Sequence, residues 1–317
     1  LGPSYYHFVY RNVLFLCLNT EDPPPTHIST NQLEYFARVL DENKDVRWTL
    51  VFQHKPLWNY EEETGWSQFE KLLVDRPHTV FAGHFHRYTK HERNNQNYLV
   101  LATTGGVSRL RGRQYGEFDH VVWVTMSDRG PRIANLMLDG IWDENVRTEE
   151  VRDLLAPIIR GKAIRVFPIH LGEEAFFTDG TGKLRLTNDA DLPMRVEIEF
   201  DASPGSTVDP ERLETVVDPN SVKLVDVTLN ASEALLVNSF EPVPARWKIS
   251  FDHKEDDPLE VEGRTSLIVE RHFNIESRAQ SAEVDGRLNE WALLPLVCEN
   301  PSQVLGRADS WTGSDDG

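Results

Sequence analysis

Two cysteines in 317 residues exclude a disulfide framework. Cys17 lies inside the apolar run "VLFLCLN" and reads as a small buried hydrophobe. Cys298 lies far away in a different module, so the pair leaves the redox compartment undecided. No apolar run reaches the roughly 18 residues that a membrane-crossing helix needs, and no membrane span is expected. Positive charge is also scarce. Thirty-three Lys and Arg against 51 Asp and Glu leave a net charge of −18, which argues against a nucleic-acid or anionic-membrane partner. The deficit is uneven. Residues 1–150 carry 16 basic against 20 acidic side chains, and residues 151–317 carry 17 against 31, as two different kinds of module would. A basic-then-apolar leader is missing from the start, "LGPSYYHFVY". Both ends read as cut, and the chain is expected to be a fragment of a longer polypeptide.

What is present suffices for real cores: 39% of residues are hydrophobic and 10% aromatic. The length suits two or three domains at about 100–200 residues each. "YYHFVYRNVLFLCLNTED" alternates and then runs apolar, as a strand pair does. After the loop "EDPPPTHIST", Ser29 can cap a helix with Gln32 as its reciprocal partner, and Leu33, Phe36, Ala37 and Leu40 share one helical face. "WTLVFQ" reads as a buried strand. "GWSQFEKLLVDRP" reads as a helix with Trp66, Phe69, Leu72 and Leu73 inward, closed before Pro77. "HTVFAG" and "NYLVLATTGG" are further strands. This alternation predicts an α/β layer architecture. "GEFDHVVWVTMSDRGPRIANLMLDG" predicts a hairpin turning at Asp128-Arg129-Gly130-Pro131. "VRTEEVRDLLAPIIRGK" predicts a helical connector. From about residue 163, short alternating segments such as "KLRLTN", "MRVEIEF", "SVKLVDVTL" and "RWKISFDH" predict an all-β sandwich.

Most of the eleven histidines have no partner at ligand spacing. His120, with Asp119 adjoining, is the least certain of these. His84 and His86 in "VFAGHFHRYTK" differ. In an extended chain, positions i and i+2 point to the same side, so both imidazoles could reach one metal or a close pair of metals. Gly83 before them permits a sharp exit from the strand and a close backbone approach. His54 follows "WTLVFQ" at another strand's carboxyl end, where ligands gather in α/β sheets. Lys55, Arg87 and Tyr88 flank these residues and are candidates for contact with a phosphate oxygen. The Thr103–Gly106 turn could line the same pocket, and Trp58 and Tyr60 could wall it.

With these residues in view, the chain resembles the calcineurin-like metallophosphoesterases. Gly83-His84-Phe85-His86 matches that family's G-H-x-H block. His54 in "VFQHKPLW" matches its lone histidine. The tyrosine-rich opening and "NQLEYFARVLDENKDVRWTLVFQHKPLW" resemble its intervening hairpin, helix and strand, so the likeness covers about residues 1–140. The D-x-H, G-D-x-x-D and G-N-H-[DE] blocks of the family are not in this chain. The resemblance implies the C-terminal half of an α/β/β/α sandwich. It implies two divalent metals (Zn, Fe or Mn), with His54 and His84 on one and His86 on the other. It also implies hydrolysis of a phosphate mono- or diester by a metal-bridging hydroxide. The bridging ligand and the acid would precede Leu1, and the fragment alone is expected to be inactive.

Near the other end, "DGRLNEW" (Asp285–Trp291) and "WTGSDD" (Trp311–Asp316) resemble the start of carbohydrate-binding or DOMON-like β modules. That implies glycan or cell-wall contact and an extracellular or periplasmic setting. The expected organisation is a phosphoesterase half over 1–145, a helical connector over 146–162, a β-sandwich over 163–273 and a truncated third module over 274–317. The alternative is a non-catalytic secreted binding protein with a degenerate phosphoesterase half.

Overall fold

The computed structural model describes residues 4–60, 63–172, 174–237, 240–253 and 259–271. The proposed third module, with Trp291, Trp311 and Cys298, lies outside them. The chain divides into two units, Leu1–Arg160 and Gly161–Gly317.

The first unit is built on a six-stranded sheet. Its strands are β1 (Tyr6–Tyr10), β2 (Val13–Cys17), β3 (Trp48–Phe52), β4 (His78–Ala82), β5 (Thr89–Arg93) and β6 (Gln96–Val100), in the order β1-β2-β3-β4-β6-β5. β2, β3, β4 and β6 run parallel, and hairpins add β1 and β5 antiparallel at the two edges. β4 is buried at every position, as a central strand covered on both faces must be. Side chains alternate between the faces. Leu14, Leu16, Val51 and Val80 meet Phe36, Val39 and Leu40 of α1 (Thr30–Glu42), and Trp66 and Phe69 of α2 (Trp66–Lys71). Val13, Leu50 and Phe81 face the other way, toward Phe118 and Ile133. Ile133 belongs to a three-stranded antiparallel sheet of β7 (Val121–Ser127), β8 (Gly130–Leu136) and β9 (Ile141–Asp143). α3 (Glu149–Ile159), capped by Thr148, closes this unit.

The second unit is a β-sandwich. One four-stranded sheet contains β10 (Ile164–Phe167), β12 (Phe176–Asn188), β14 (Ser206–Asp209) and β16 (Ser221–Leu236). The other contains β13 (Met194–Phe200), β15 (Arg212–Val217), β17 (Val243–Phe251) and β18 (Leu259–Leu267). β11 (Ile169–Leu171) and β19 (Val269–Arg271) form a short parallel pair. Met194, Val196, Ile198 and Phe200 are buried at every second position of β13, the pattern of a strand with one face in a core.

The expected α/β class, and with it the expected C-terminal half of an α/β/β/α sandwich, is corrected here. Strands make up about 50% of the structure and helices 14%, and only three α-helices occur among the described residues. The physical reason is that much of the apolar surface is covered by sheet instead of helix. The helical link before β4 is short, with α2 spanning six residues, and β5 and β6 follow β4 as a hairpin. The described residues of the second unit add strands and no α-helix.

Candidate functional site

The parallel pairing of β3 and β4 sets Phe52 beside Phe81, so the two strands end side by side. Beyond them the backbones stay joined. Gln53 N–H donates to the Phe81 carbonyl at 3.0 Å, and Gly83 N–H donates to the His54 carbonyl at 2.9 Å. This places the residues after each strand next to one another. His54 Nε2 and His84 Nδ1 lie 3.2 Å apart, on rings nearly perpendicular at 80°. Burial, the largest cause, and then the neighbouring charge of His54 and Lys55 hold the His84 imidazolium below its ordinary pKa, which favours the neutral ring with a free lone pair.

The extended geometry expected for His84 and His86 is corrected. Their φ angles are 72° and 53°, in the left-handed region that non-glycine residues enter only at a cost of about 1–3 kcal/mol. Phe85 N–H donates back to the Gly83 carbonyl at 2.9 Å, which makes His84 the centre of a tight three-residue turn. Gly83 does not do what was expected of it. A Cβ there would meet only the His54 carbonyl at 3.9 Å, so the strain is carried by the histidines. His86 Nδ1 lies 2.6 Å from the Val107 carbonyl. A carbonyl can only accept, so Nδ1 carries a hydrogen, and the neutral ring has its lone pair on Nε2. No three His, Cys, Asp or Glu groups gather at metal-holding distance among the described residues.

The other candidates are engaged elsewhere. Lys55 Nζ pairs with Glu21 at 2.5 Å and donates to Thr26 Oγ1 at 2.7 Å. Arg87 Nε donates to Glu117 Oε1 at 3.2 Å while its side chain stays largely exposed. Tyr88 is fully buried, with its hydroxyl donating to the Glu144 carbonyl at 2.7 Å, so it packs a core instead of facing a ligand. The Thr103 hydroxyl and Gly105 N–H both donate to Asp119, at 2.5 and 2.9 Å. These donors hold the Asp119 carboxyl below its ordinary range and are not free for a phosphate. Trp58 packs on Trp66 and Tyr98 in the core, whereas Tyr60 stacks on Phe85 at 6.2 Å beside the histidines. His120 is structural: its Nε2 accepts from Ala102 N–H at 3.1 Å, and its Nδ1 meets Asn135 Oδ1 at 2.8 Å.

The sequence reading missed Glu117, which joins Arg87 to Arg111, and the buried Arg147. Neither sits at a recognisable spacing, so only the fold brings them together.

No protein-family model matches the chain, and no curated protein matches it. Among solved structures, a Caenorhabditis elegans MSP family member is similar over 34% of this chain and 97% of its own, with 16% identity and a TM-score of 0.22. The PapD-like domain 7 of human CEP192 covers 35% of this chain and 87% of its own at 7% identity, TM-score 0.22. The collagen-binding subdomain of the Enterococcus faecalis surface protein ACE covers 33% and 96% at 7% identity, TM-score 0.23. No helix among the described residues is long and apolar enough to cross a membrane.

Proposed function

We propose that the imidazoles at the tips of β3 and β4 form one side of a divalent-metal site in a hydrolase of phosphate mono- or diesters. The observation that supports this is the 3.2 Å approach of His54 Nε2 to His84 Nδ1. It is close to the ~3.3 Å edge of a tetrahedron whose metal–nitrogen bonds are about 2.0–2.1 Å. The Val107 carbonyl would act on His86 as an outer partner does on a metal-bound histidine, fixing the tautomer that leaves Nε2 free. The strained backbone at His84 and His86 is of the kind that persists where a side chain must be aimed. A bound pair of Zn, Fe or Mn ions would supply Lewis acidity and a nucleophile at neutral pH. The further ligands that such a pair needs fall to groups outside the described residues, and the chain by itself is read as inactive.

A second reading, a non-catalytic binding protein, draws on a specific observation. His54 and His84 are within hydrogen-bonding distance of each other, and no third group completes a site among the described residues. Zinc titration by calorimetry tests the first reading. The chain is expected to bind zinc with an affinity at least about tenfold above that of the His54→Ala/His84→Ala variant. Equal affinities would overturn it. Assay of an aryl phosphate and an aryl phosphodiester, with the longest natural polypeptide that carries this chain, separates the two readings. Zinc bound without turnover of either ester selects the binding protein.

A further inference from the structure

Beside the histidine loop, α3, β5 and the stretch 111–115 enclose a cleft of about 810 Å³. Arg87, Arg111, Arg147, Arg152 and Arg160 line it, together with His91. Fewer carboxylates answer these charges. Glu117 alone serves two of the arginines, accepting from Arg87 at 3.2 Å and from Arg111 at 2.6 and 2.8 Å. Arg152 is held by Glu149 at 2.9 Å and Asp153 at 2.8 Å. Arg160 makes no side-chain hydrogen bond or ion pair among the described residues.

Arg147 is the telling member. It is 5% exposed and has no carboxylate partner among the described residues. Nε donates to the Gln114 carbonyl at 3.1 Å. Nη1 donates to the Tyr88 carbonyl at 2.8 Å and to Thr89 Oγ1 at 2.5 Å. That leaves Nη2 without a protein partner. A guanidinium buried without a counter-charge is unfavourable. Burial first, and then the positive charge of Arg152 and Arg87, lowers the Arg147 pKa to about 10. On the same wall His91 is 2% exposed. Its Nδ1 lies 3.0 Å from Glu149, and its Nε2 is buried with no partner. Five guanidinium groups therefore face three carboxylates, and Arg147 Nη2 is a donor with no protein acceptor. Phe85 and Tyr115 add aromatic surface to the lining, with Arg111 stacked on Tyr115 at 4.1 Å.

We propose that this cleft binds an organic phosphate, with the phosphate on the arginines and the apolar body of the ligand against Phe85 and Tyr115. A phosphomonoester carries about −1.5 to −2 charges at neutral pH, matching the excess of two, whereas a carboxylate supplies one. Planar guanidinium forks suit its oxygens. The site includes none of the three histidines and needs no metal, so it stands apart from the metal reading.

Calorimetry of the full chain with phenyl phosphate, in excess EDTA, tests this. Saturable one-to-one binding is expected, weakening as salt is raised. The Arg87→Ala/Arg160→Ala variant changes two exposed side chains and is expected to bind at least about tenfold more weakly, with an unchanged circular dichroism spectrum. Arg129→Ala, in the distant β7–β8 turn, is expected to bind as the parent does. Absence of saturable binding, equal affinity in the double variant, equal affinity for benzoate, or loss of binding in His54→Ala/His84→Ala would each overturn the proposal.

Discussion

At the scale of single residues, the histidines divide by the company their nitrogens keep. His120 accepts from a backbone N–H with Nε2 and meets Asn135 Oδ1 with Nδ1. Asn135 Nδ2 is already donating to the Asp143 carbonyl at 3.0 Å, so its oxygen faces the ring and Nδ1 carries the hydrogen. Protonating Nε2 would set it against the Ala102 N–H, donor against donor. Burial, the largest cause, lowers the pKa of His120, and likewise those of His78 and His91. Below the unfolded value of about 6.5, the unfolded chain takes up protons that the folded one does not. Stability is therefore full above that pH and falls as pH drops toward the folded values. The first unit is expected to melt at progressively lower temperature between pH 7 and pH 5. Nitrogen NMR of His120 should show the neutral Nδ1–H form at pH 6. An imidazolium signal there, with a flat melting profile, would contradict this account.

At the scale of elements, pairing decides which side chains can exist where. Trp247 and Gly263 face each other across β17 and β18. A Cβ on Gly263 would lie 2.1 Å from the indole. The glycine is there so that the tryptophan can lie flat over the neighbouring strand. Gly263→Val is expected to eject the indole and destabilise the second unit by about 1–3 kcal/mol. Chemical denaturation together with a red-shifted tryptophan emission reads the change; an unmoved midpoint contradicts it. Much at this scale was legible beforehand. β1 and β2, the Ser29 cap of α1 and the β7–β8 hairpin lie where alternation and turn residues put them, and the side chain of Ser29 accepts from Gln32 N–H. The reciprocal half of that cap does not form, and Ser29 N–H donates to Asp22 Oδ2 at 3.4 Å. The Gln32 side chain donates instead to Asp22 at 2.7 Å and to the Asn19 carbonyl at 3.0 Å, partners that no local spacing reveals. α2 is shorter than its apolar period implied, and Leu72 is left exposed.

At the scale of the whole molecule, each unit has a core of its own. Phe36 in the first and Phe177 in the second are at most 1% exposed. Truncating a buried phenylalanine costs about 3–5 kcal/mol. Phe36→Ala is expected to lower one thermal transition and Phe177→Ala another, with additive effects in the double variant. Calorimetric scans in which either change moved a single shared transition would show one cooperative body instead.

What the residues determined unaided was local: which segments extend, where they turn, which face is apolar, and that His54 and His84 follow strands. Those properties depend on neighbours within a few positions, and periodicity records them. The tertiary structure alone decided that β3 and β4 lie side by side so that the two imidazoles meet. It decided that the His84 and His86 backbones turn left-handed instead of running extended. It also decided that sheet outweighs helix, and that arginines from 87 to 160 crowd one cleft around too few carboxylates. Each of these is a juxtaposition of residues distant in the chain, and no spacing along a sequence encodes the distance between two strands in space.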